Sequence, residues 1–433
     1  MYPKRHKHEE SKLGILVRSK PRAVDVSAAQ FSGVVDLSEE QEKVVDRTIR
    51  WFSLSERNQA APVWSIAGQA GTGKTCVTGF IAKQLCSATR RVAFCSPTGR
   101  AAGVLGRSLS AVDVRPMYCG TIHRMIYTPI VGPGGGIAGW SKKEKLDYDL
   151  VVVDEASMLS RDVLSDLMHY GVPVLLIGDD GQLSPVGDEG LPSVLSNPDC
   201  VLKTIHRQAL NNPVLEFASL VRSGGDWRGM LRSSKDERLQ KVSAAGLSMY
   251  VSERFKDRLD KPAAEDPLLL CGTNRMKKIL NSAARIWLKD EVLVPGDRVV
   301  CLKNAYLSGA LLANGFFGQV TSVIESRNPM QVRANISLPD EDLDLVEAIL
   351  CKPQLTEDRT YSKLDEVPGD NFSWEDVGLL FSHGYALTGH RAQGGQRDEV
   401  IIYVEDFCKS DKEFRRWLYS TATRCIRSLK VAL

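Results

Sequence analysis

Short apolar runs recur along the first half of the chain, and each is followed by glycine, aspartate or proline. The runs are rich in β-branched side chains and are separated by longer stretches of mixed polarity. Runs of this kind are typical of strands buried on both faces of a parallel sheet, with a helix between each strand and the next. The pattern predicts strands at 63–67, 92–95, 150–153 and 174–177.

A second set of similar runs lies in the last part of the chain. It predicts strands at 268–271, 385–388, 400–404 and near 430–433. Two separate sets of parallel strands imply two α/β lobes, in which the polar loops that carry function lie at the carboxyl ends of the strands.

The stretch between the two halves of the second set has a different pattern. Residues 295–337 alternate apolar and polar side chains and contain glycine turns, which suits short antiparallel strands. A small β-barrel inserted into the second lobe explains this pattern. Residues 338–380 are acidic and irregular, and we assign no element to them.

The first 36 residues carry a basic cluster at 4–8 and little apolar periodicity. We interpret 1–36 as a mobile basic tail, which is either a solvated leader or a nonspecific nucleic-acid arm, and we favour the leader. Ser38, followed three residues later by Gln41 and then by an apolar stripe, predicts a capped amphipathic helix at the start of the folded part.

Composition narrows the class of protein. The length of 433 residues, with 43% hydrophobic residues, exceeds what one small core needs and predicts two or more domains. Neither a membrane-length apolar run nor a signal peptide is present in the sequence. The ten cysteines form no CxxC pair, so we expect a reducing, cytoplasmic setting. A net charge of +3 leaves the partner undecided.

The segment GQAGTGKT at 68–75 lies between a predicted strand and an apolar helical run at 76–85. Strand, glycine loop and helix in this order are the context that a P-loop requires. The glycines let successive N–H groups face phosphate oxygens, and the helix N-terminus favours the same anion. We predict an ATP site, with Lys74 on the β- and γ-phosphates and Thr75 on Mg²⁺. The expected binding residues are Gly68, Gln69, Ala70, Gly71, Thr72, Gly73, Lys74 and Thr75.

Two carboxylates directly follow the strand predicted at 150–153. Asp154 is placed to hold Mg²⁺, and Glu155 is placed to polarise the attacking water, which hydrolysis requires in addition to nucleotide binding. Gln182 follows the next strand and is a candidate for a hydrogen bond to the γ-phosphate; its alternative is an ordinary turn residue.

Taken together, these motifs resemble those of superfamily 1 helicases, and within them the RecD-like branch with its compact Dda-type motors. The resemblance covers residues 37–433, and the motifs follow the family's order. They are Gln41, GQAGTGKT at 68–75, SPTGRAA at 96–102, TIH at 121–123, VDEASM at 153–158, GDDGQLSPV at 178–186, TIHRQ at 204–208, LTGHRAQG at 387–394 and YSTATR at 419–424.

The resemblance implies roles for particular side chains. Gln41 would contact adenine, and Arg207 and Arg424 would be arginine fingers that stabilise the transferring phosphate when the lobes close. Single-stranded DNA would be held at its backbone by hydroxyl, amide and basic groups. The expected DNA-binding residues are Pro97, Thr98, Arg100, Thr121, His123, Asn274, Thr388, His390 and Arg391.

The resemblance also implies the fold class, which is α/β with two RecA-like parallel-sheet motor lobes, a small inserted SH3-like β-barrel and a β-hairpin pin. The sequence departs from the family's pattern at Gly389, where a β-branched residue is usual, and at Ser184, where proline is common. Expected boundaries are 37–203 for the first lobe, 204–294 and 381–433 for the second, and 295–380 for the barrel with its irregular segment.

Residues 127–147 contain two short apolar segments on either side of the turn GPGGG at 132–136, which predicts a β-hairpin. The resemblance implies a strand-separating pin in this interval. Trp140 would stack on the last base pair of a duplex. The alternative is a flexible glycine loop whose Trp140 packs against the first lobe.

These expectations favour an ATP-dependent helicase that moves 5′ to 3′ on single-stranded DNA, with the direction inferred from the resemblance alone. The alternatives are a translocase that displaces proteins without unwinding and a P-loop ATPase regulated by a protein partner. The expected partners are single-stranded DNA, single-strand/duplex junctions, and single-strand-binding or replication proteins.

Overall fold

The computed structural model contains a six-stranded and a five-stranded parallel sheet and a six-stranded antiparallel sheet, each packed against apolar side chains. The structure describes residues 16–19, 36–56, 62–86, 89–131, 137–185, 194–205, 212–257, 259–288, 291–307, 310–339, 343–356 and 377–433. Within these ranges, no helix has both the length and the apolar character that crossing a membrane requires.

The elements are numbered in chain order. The strands are β1 (Leu16–Ser19), β2 (Val63–Gly68), β3 (Val92–Ser96), β4 (Tyr118–Thr121), β5 (Tyr127–Val131), β6 (Ile137–Lys142), β7 (Leu150–Val153), β8 (Val174–Gly178), β9 (Cys200–Leu202), β10 (Leu239–Val242), β11 (Leu268–Cys271), β12 (Arg298–Cys301), β13 (Ala305–Leu307), β14 (Ala310–Leu312), β15 (Phe317–Ile324), β16 (Gln331–Leu338), β17 (Leu343–Cys351), β18 (Phe381–His383), β19 (Ala386–Thr388), β20 (Arg397–Tyr403) and β21 (Cys425–Ala432). The helices are α1 (Glu39–Ser55), α2 (Lys74–Leu85), α3 (Gly99–Ala111), α4 (Ile122–Ile126), α5 (Arg161–Met168), α6 (Pro213–Ser223), α7 (Trp227–Ser233), α8 (Leu247–Phe255), α9 (Asn274–Ala284), α10 (Lys352–Thr356) and α11 (Asp411–Ala422).

The sheet of the first lobe has the strand order β4, β3, β7, β8, β2, β9, and all its pairs are parallel. The four strands predicted from apolar runs are all present, because β7, β8 and their neighbours are buried on both faces. The edge strands β4 and β9 were not predicted, since they are short and partly exposed. β2 lies between β8 and β9. The loop after β2 is therefore flanked, at the carboxyl edge of the sheet, by the loops that follow β8 and β9.

The first helix begins where the sequence predicts it. Ser38 Oγ accepts a hydrogen bond from the Gln41 backbone N–H, and Gln41 Oε1 accepts one from the Ser38 N–H. This reciprocal pair is a capping box, which satisfies two of the free N–H groups at a helix start. The apolar face of α1, including Trp51 and Phe52, is buried against the first lobe.

The sheet of the second lobe has the order β10, β21, β20, β11, β19, again with parallel pairs. All four predicted strands are present, although β21 begins at Cys425 instead of near residue 430. Gly389, one of the two departures from the family pattern, follows β19. A Cβ atom there would lie 2.6 Å from Nε1 of the buried Trp417, so glycine is what the packing allows at this position.

The inserted segment forms an antiparallel sheet with the order β1, β17, β16, β15, β12, β18 and a separate hairpin of β13 and β14. Register shifts in the pairs of β15 with β16 and β16 with β17 mark β-bulges, which bend a sheet. Within the described ranges no ladder joins β1 to β18, so the antiparallel strands are present but barrel closure is not seen.

Three boundary predictions need correction. Leu16–Ser19 lies within the tail predicted to be mobile, yet it forms β1 and pairs with β17. The stretch predicted to be irregular contains β17, a nine-residue strand between β1 and β16. Phe381–His383, assigned to the second lobe, pairs with β12 of the inserted sheet. The errors at β1 and β18 share a cause, because each of these strands pairs with a partner distant in sequence, which local periodicity does not show. β17 pairs both with its sequence neighbour β16 and with the distant β1.

Candidate nucleotide and nucleic-acid sites

The predicted P-loop has the expected geometry. It connects β2 to α2, and its two central glycines, Gly71 and Gly73, have φ angles of 84° and 79° in the left-handed region. Only glycine adopts this conformation without strain, and it turns successive N–H groups to one side. Lys74 Nζ donates hydrogen bonds of 2.7 and 3.1 Å to the carbonyl oxygens of Gly68 and Gln69. The ammonium group therefore lies over the loop, where a phosphate would be bound.

Gln41 is buried and fixes the P-loop to α1. Besides its part in the capping box, its side-chain Nε2 donates a 3.2 Å hydrogen bond to the carbonyl oxygen of Thr72. The adenine contact that the resemblance implies is not tested by this contact and stays a prediction. What the structure adds is that Gln41 couples the first helix to the phosphate loop.

Asp154 and Glu155 lie beside the P-loop at the end of β7. Asp154 accepts a 2.9 Å hydrogen bond from the Glu155 N–H, and Glu155 has φ 52°, a left-handed conformation that is unfavourable for a residue with a side chain. Burial, followed by the charge of Glu155, raises the pKa of Asp154. Because its surroundings disfavour the charged form of Asp154, a cation bound nearby would stabilise the carboxylate.

The side chains here fit Mg²⁺ bound together with a nucleotide. Thr75 presents an exposed hydroxyl at the first turn of α2, and Asp154 supplies a carboxylate beside Lys74. No cluster of three acidic, histidine or cysteine ligands occurs in the described ranges. Mg²⁺ commonly takes one or two protein oxygens and completes its shell with water and phosphate oxygens, so Thr75 and Asp154 are sufficient as a protein contribution.

Arg424 extends from the second lobe toward the carboxylates of the first. Its side chain is buried, Nε donates to the Ser420 carbonyl at 3.1 Å, and Nη1 lies 3.9 Å from Glu155 Oε1. Glu155 Oε2 is buried and has no hydrogen-bond donor among the described residues. A guanidinium and a carboxylate with spare bonding capacity thus face each other across the lobe interface. Arg207, the second predicted finger, lies outside the described residues.

A second interlobe contact surrounds Asp179, which follows β8 and is completely buried. Arg222 of α6 donates to both Asp179 and Asp180, and the Tyr419 hydroxyl of α11 donates to Asp179 Oδ2. The same Tyr419 oxygen accepts a 3.1 Å hydrogen bond from the Ala70 N–H of the P-loop. We call Ala70, Asp179, Arg222 and Tyr419 the interlobe network. It ties the phosphate loop to the second lobe.

Gln182 directly precedes Leu183, which makes two further contacts with the second lobe. The Leu183 N–H donates a 2.8 Å hydrogen bond to Ser420 Oγ, and the Leu183 carbonyl accepts one of 3.1 Å from Gln393 Nε2. Gln182 itself is buried, and its Oε1 has no donor within the described ranges. An amide oxygen held in place without a partner suits the γ-phosphate-sensing role that the sequence predicts, through a bound water or metal ligand.

Sequence reasoning missed Arg222, Tyr419 and Asp179 as a group. Asp179 and Tyr419 lie inside recognised motifs, but Arg222 lies on an amphipathic helix with no motif around it. The only signal was that a basic residue closes the last turn of α6, which is equally typical of helix capping. The contact depends on the packing of the two lobes, which a one-dimensional pattern does not contain.

We predict that Arg222→Ala destabilises the protein by about 2 to 3 kcal/mol, because it leaves the buried Asp179 carboxylate without its cation. The value is below that of a fully buried pair because the Arg222 side chain is 26% exposed. Urea unfolding measures the change. Arg238→Ala is the matched control, since Arg238 pairs with Asp236 at the surface, and its unfolding midpoint should stay unchanged. Equal midpoints for Arg222→Ala and the unaltered protein would contradict the prediction.

Several predicted DNA-binding residues line a single cleft of about 270 Å³ between the lobes. Pro97, Thr98 and His123 come from the first lobe, and His390 and Gln393 come from the second. Because Gln393 also donates to Leu183, the cleft is one hydrogen bond away from Gln182 and the nucleotide site. The two sites are thus connected through the second lobe.

Other predicted contacts lie at helix starts and strand ends. Thr98 and Thr121 cap α3 and α4, where their hydroxyl oxygens accept N–H groups and each hydroxyl hydrogen can still be donated to a phosphate. Asn274 is exposed at the start of α9. Thr388 ends β19, directly opposite Cys271, the residue three positions before Asn274, so both lie at one sheet edge.

Arg100 occupies a place that the sequence did not predict. It is buried, and its guanidinium lies 5.0 Å from the ring centroid of Phe317 in the inserted sheet. The neighbouring Gly99 is so close to Phe316 that a Cβ atom would lie 2.2 Å from the ring. In this arrangement Arg100 packs against the insert, and the predicted DNA contact remains untested.

The predicted hairpin is present as β5 and β6 in antiparallel register, ending at Lys142 and not at residue 147. Trp140 lies opposite Pro129, away from the turn, and its ring is 6.3 Å from Tyr127 and 6.2 Å from His123. The turn itself, 132–136, lies outside the described residues. Trp140 therefore belongs to a three-ring cluster with Tyr127 and His123, and its stacking on a base pair stays a prediction. Ile130, by contrast, is 52% exposed on the hairpin surface.

Comparison with protein families gives two matches. Residues 36–244 match a model described as an AAA domain, and residues 383–429 match one described as a UvrD-like helicase C-terminal domain. The first match contains the P-loop and the Asp154–Glu155 pair, and the second contains His390 and Arg424. The matched segments thus include both sides of the nucleotide cleft.

Curated relatives cover most of this chain. The ATP-dependent RecD2 DNA helicase of Deinococcus radiodurans is 28% identical over 84% of this chain and 45% of its own length. The RecBCD enzyme subunit RecD of Mycobacterium tuberculosis is 25% identical over 84% of this chain and 66% of its own length. The chain thus spans less than two thirds of these relatives. The ATP-dependent DNA helicase dda of Enterobacteria phage T4 is 25% identical over 83% of this chain and 92% of its own length.

Solved structures of similar fold are helicases. Pif1 helicase from Bacteroides, in complex with ADP-AlF3 and single-stranded DNA, superposes with a TM-score of 0.53 at 19% identity, covering 92% of this chain and 93% of that one. A Pif1 structure concerned with unwinding of forked duplex DNA gives a TM-score of 0.51 at 18% identity, covering 92% of each chain. At this identity the similarity shows the shared α/β fold with its parallel sheets.

Proposed function

We propose, since this chain belongs to the RecD-like branch of the superfamily 1 helicases, that it is an ATP-driven motor that moves 5′ to 3′ on single-stranded DNA and unwinds duplex. One observation carries the proposal. Gln393 lines the cleft of predicted DNA contacts and donates to Leu183, whose neighbour Gln182 belongs to the nucleotide site. A motor needs such a connection, because nucleotide-driven closure of one cleft must change the other.

The comparisons support DNA as the substrate. Two of the named relatives are ATP-dependent DNA helicases, and the Pif1 complex contains ADP-AlF3 and single-stranded DNA. The donors at the interlobe cleft are hydroxyl, imidazole and amide groups, which suit backbone phosphates of a strand without sequence preference. Single-strand/duplex junctions are the expected entry point, and single-strand-binding or replication proteins are the expected partners.

ATP with Mg²⁺ is the proposed cofactor. Bound Mg²⁺ would neutralise developing charge between the β- and γ-phosphates. The protein's part is to cradle the phosphates with the loop N–H groups and Lys74, and to orient the attacking water with Glu155 and Gln182. Arg424, and Arg207 by resemblance, would add positive charge from the second lobe once the cleft is closed.

Two measurements test the motor function. ATP hydrolysis is measured with and without oligo(dT), and strand displacement is measured on duplexes with a 5′ tail or a 3′ tail. We expect oligo(dT) to stimulate hydrolysis and only the 5′-tailed duplex to be opened. Stimulated hydrolysis without displacement on either duplex would favour the translocase that displaces proteins. If oligo(dT) does not change the rate of ATP hydrolysis, the result would favour an ATPase regulated by a protein partner.

We further propose that the insert is SH3-like and that the β5–β6 hairpin is a strand-separating pin. The bulged antiparallel strands of the insert support the first part. The second is supported by the hairpin's attachment directly after α4, whose cap Thr121 and first-turn His123 are predicted DNA contacts. A rigid hairpin at that place would stand where the duplex reaches the motor.

Trp140→Ala should therefore impair duplex separation about tenfold while changing oligo(dT)-stimulated hydrolysis by less than about twofold, since losing a stacking ring costs roughly 1 to 3 kcal/mol. Ile130→Ser tests the exposed side of the same hairpin. If Ile130→Ser reduces unwinding and Trp140→Ala does not, the wedge is the exposed face and Trp140 supports His123. If neither variant changes unwinding, or if hydrolysis falls equally, the hairpin is not a pin.

A further inference from the structure

Lys277 is a buried cation of the second lobe. It lies in α9 of the second lobe with 5% of its surface exposed, and among the described residues its ammonium has no hydrogen bond or ion pair. Lysine is rarely buried unless it is paired, because removing an ammonium group from water is costly. Burial and the charge of Arg391 lower the pKa of Lys277 to about 8.

The position of Lys277 in its helix makes the cation still less favourable. Thr273 caps α9, so Lys277 lies within the first turns of the helix, near its positive end. A helix start favours anions and disfavours cations. The Glu405 carboxylate accepts hydrogen bonds from Gly272 and Thr273 at the start of this helix and makes no ion pair with Lys277 among the described residues.

Arg391 is a second cation of the same kind. It follows β19, is largely buried, and its Nη1 has no hydrogen-bond partner in the described structure. The Gly389 N–H donates to the Cys271 carbonyl, which holds the segment before Arg391 against the strand that leads into α9. Burial lowers the pKa of Arg391. Arginine side chains in general stay charged at neutral pH, because their ordinary pKa lies far above 7. The charge of Arg391 acts on Lys277, so the two cations lie near each other, and neither forms an ion pair among the described residues.

We propose that Lys277 and Arg391 together bind one phosphodiester group of a single-stranded nucleic acid. The proposal rests on the proposed function, which assigns Arg391 but not Lys277 to the strand. Asn274 and Thr388 lie at the same sheet edge, so the site extends the row of predicted backbone contacts. A phosphate provides the negative charge and acceptor oxygens that both side chains lack, and the cost of holding two cations in place is offset on binding.

The test compares Lys277→Met with the unaltered full chain, using fluorescent oligo(dT) titrated at several NaCl concentrations at pH 7. We expect the Kd of Lys277→Met to rise about tenfold and the slope of log K against log salt to become shallower by about 0.7, the value for one lost phosphate contact on a single strand. Lys277→Arg, which keeps the charge, should restore most of the affinity. Lys43→Met is the matched control, since Lys43 is an exposed lysine on α1 paired with Glu39.

Thermal unfolding without nucleic acid separates this role from a structural one. Methionine is similar in length and removes an uncompensated charge, so Lys277→Met should melt at the same temperature as the unaltered protein or higher. Equal Kd values and salt slopes for the two proteins would overturn the site. So would a lower melting temperature that accompanies the lost affinity. Failure of the unaltered chain to bind oligo(dT) at all would overturn the proposed function and this site with it.

A pH series gives an independent readout. The charged groups that face Lys277 are Arg391 and Lys278, and the Cys271 thiol, whose pKa is raised to about 12 by burial, stays neutral between pH 7 and 9. The Lys277 ammonium binds while it is protonated, and phosphate raises its pKa, so affinity should fall as the pH rises above 8. Lys277→Arg should show no such fall. A loss of the same size in both proteins would contradict the assignment.

Discussion

Lys74→Ala is expected to abolish ATP hydrolysis together with tight ATP binding, whereas Glu155→Gln is expected to lower kcat by about 10² to 10⁴-fold and still bind ATP. Lys74 is the only ammonium over the phosphate loop in the described structure, held there by the Gly68 and Gln69 carbonyls. Its loss removes charge that both the bound nucleotide and the transition state require. Glu155→Gln retains the shape of the side chain but removes the carboxylate that polarises water.

Steady-state hydrolysis with oligo(dT) and fluorescence titration with a labelled ATP analogue measure the two effects separately. Lys83→Ala is the control for Lys74→Ala, since Lys83 is exposed in the last turn of the same helix, far from the phosphate loop. Tight ATP binding by Lys74→Ala would show that another group supplies the phosphate charge. Normal turnover by Glu155→Gln would remove Glu155 from the water-activating role.

Arg424→Ala is expected to lower kcat by about 10³-fold or more while leaving DNA binding largely intact, in line with the contribution of transition-state arginines. The structure places the guanidinium in a buried position facing Glu155 across the lobe interface, where it would meet the γ-phosphate region. Arg424→Lys should recover little, because a single ammonium does not reproduce the planar fork of the guanidinium. The same result is expected for Arg207→Ala from the resemblance.

Single-turnover hydrolysis and oligo(dT) affinity distinguish the outcomes. Arg427→Ala serves as the control, since Arg427 lies three residues further on and makes an exposed pair with Asp398. A variant at Arg424 that loses DNA affinity but keeps its basal turnover would show that this arginine belongs to the DNA cleft and not to the nucleotide site.

The contrast between what was predicted and what was missed follows from where each signal lies in the chain. The P-loop and the Asp154–Glu155 pair were predicted correctly in place because each site is a contiguous segment attached to a buried strand. The approach of Arg424 to Glu155 joins residues far apart in sequence, and only the family resemblance suggested it. The interlobe network had no such guide at Arg222, so it was missed.

The strands also divide into those predicted from a contiguous apolar run and those missed because their pairing is long-range. β7 was predicted to the residue, since four buried apolar residues between polar neighbours leave little choice of boundary. β1 and β17 were missed because their alternation is weak and their pairing joins the two ends of a long sequence interval. Trp140 illustrates a third case, in which the hairpin was predicted but the side chain's neighbours, Tyr127 and His123, depend on how the hairpin folds back onto its lobe.

The strand order of the second lobe has a consequence for biosynthesis. The sheet reads β10, β21, β20, β11, β19, so β10 and β11 emerge from the ribosome well before any strand they pair with. The first lobe has no such delay, because its six strands all lie between residues 63 and 202. A nascent chain can therefore complete its phosphate loop while the apolar residues of β11 remain unpaired and open to chaperones. Because Arg424, the proposed arginine finger, directly precedes β21, we expect ATP hydrolysis to become available only after β21 has been synthesised and the second sheet has closed.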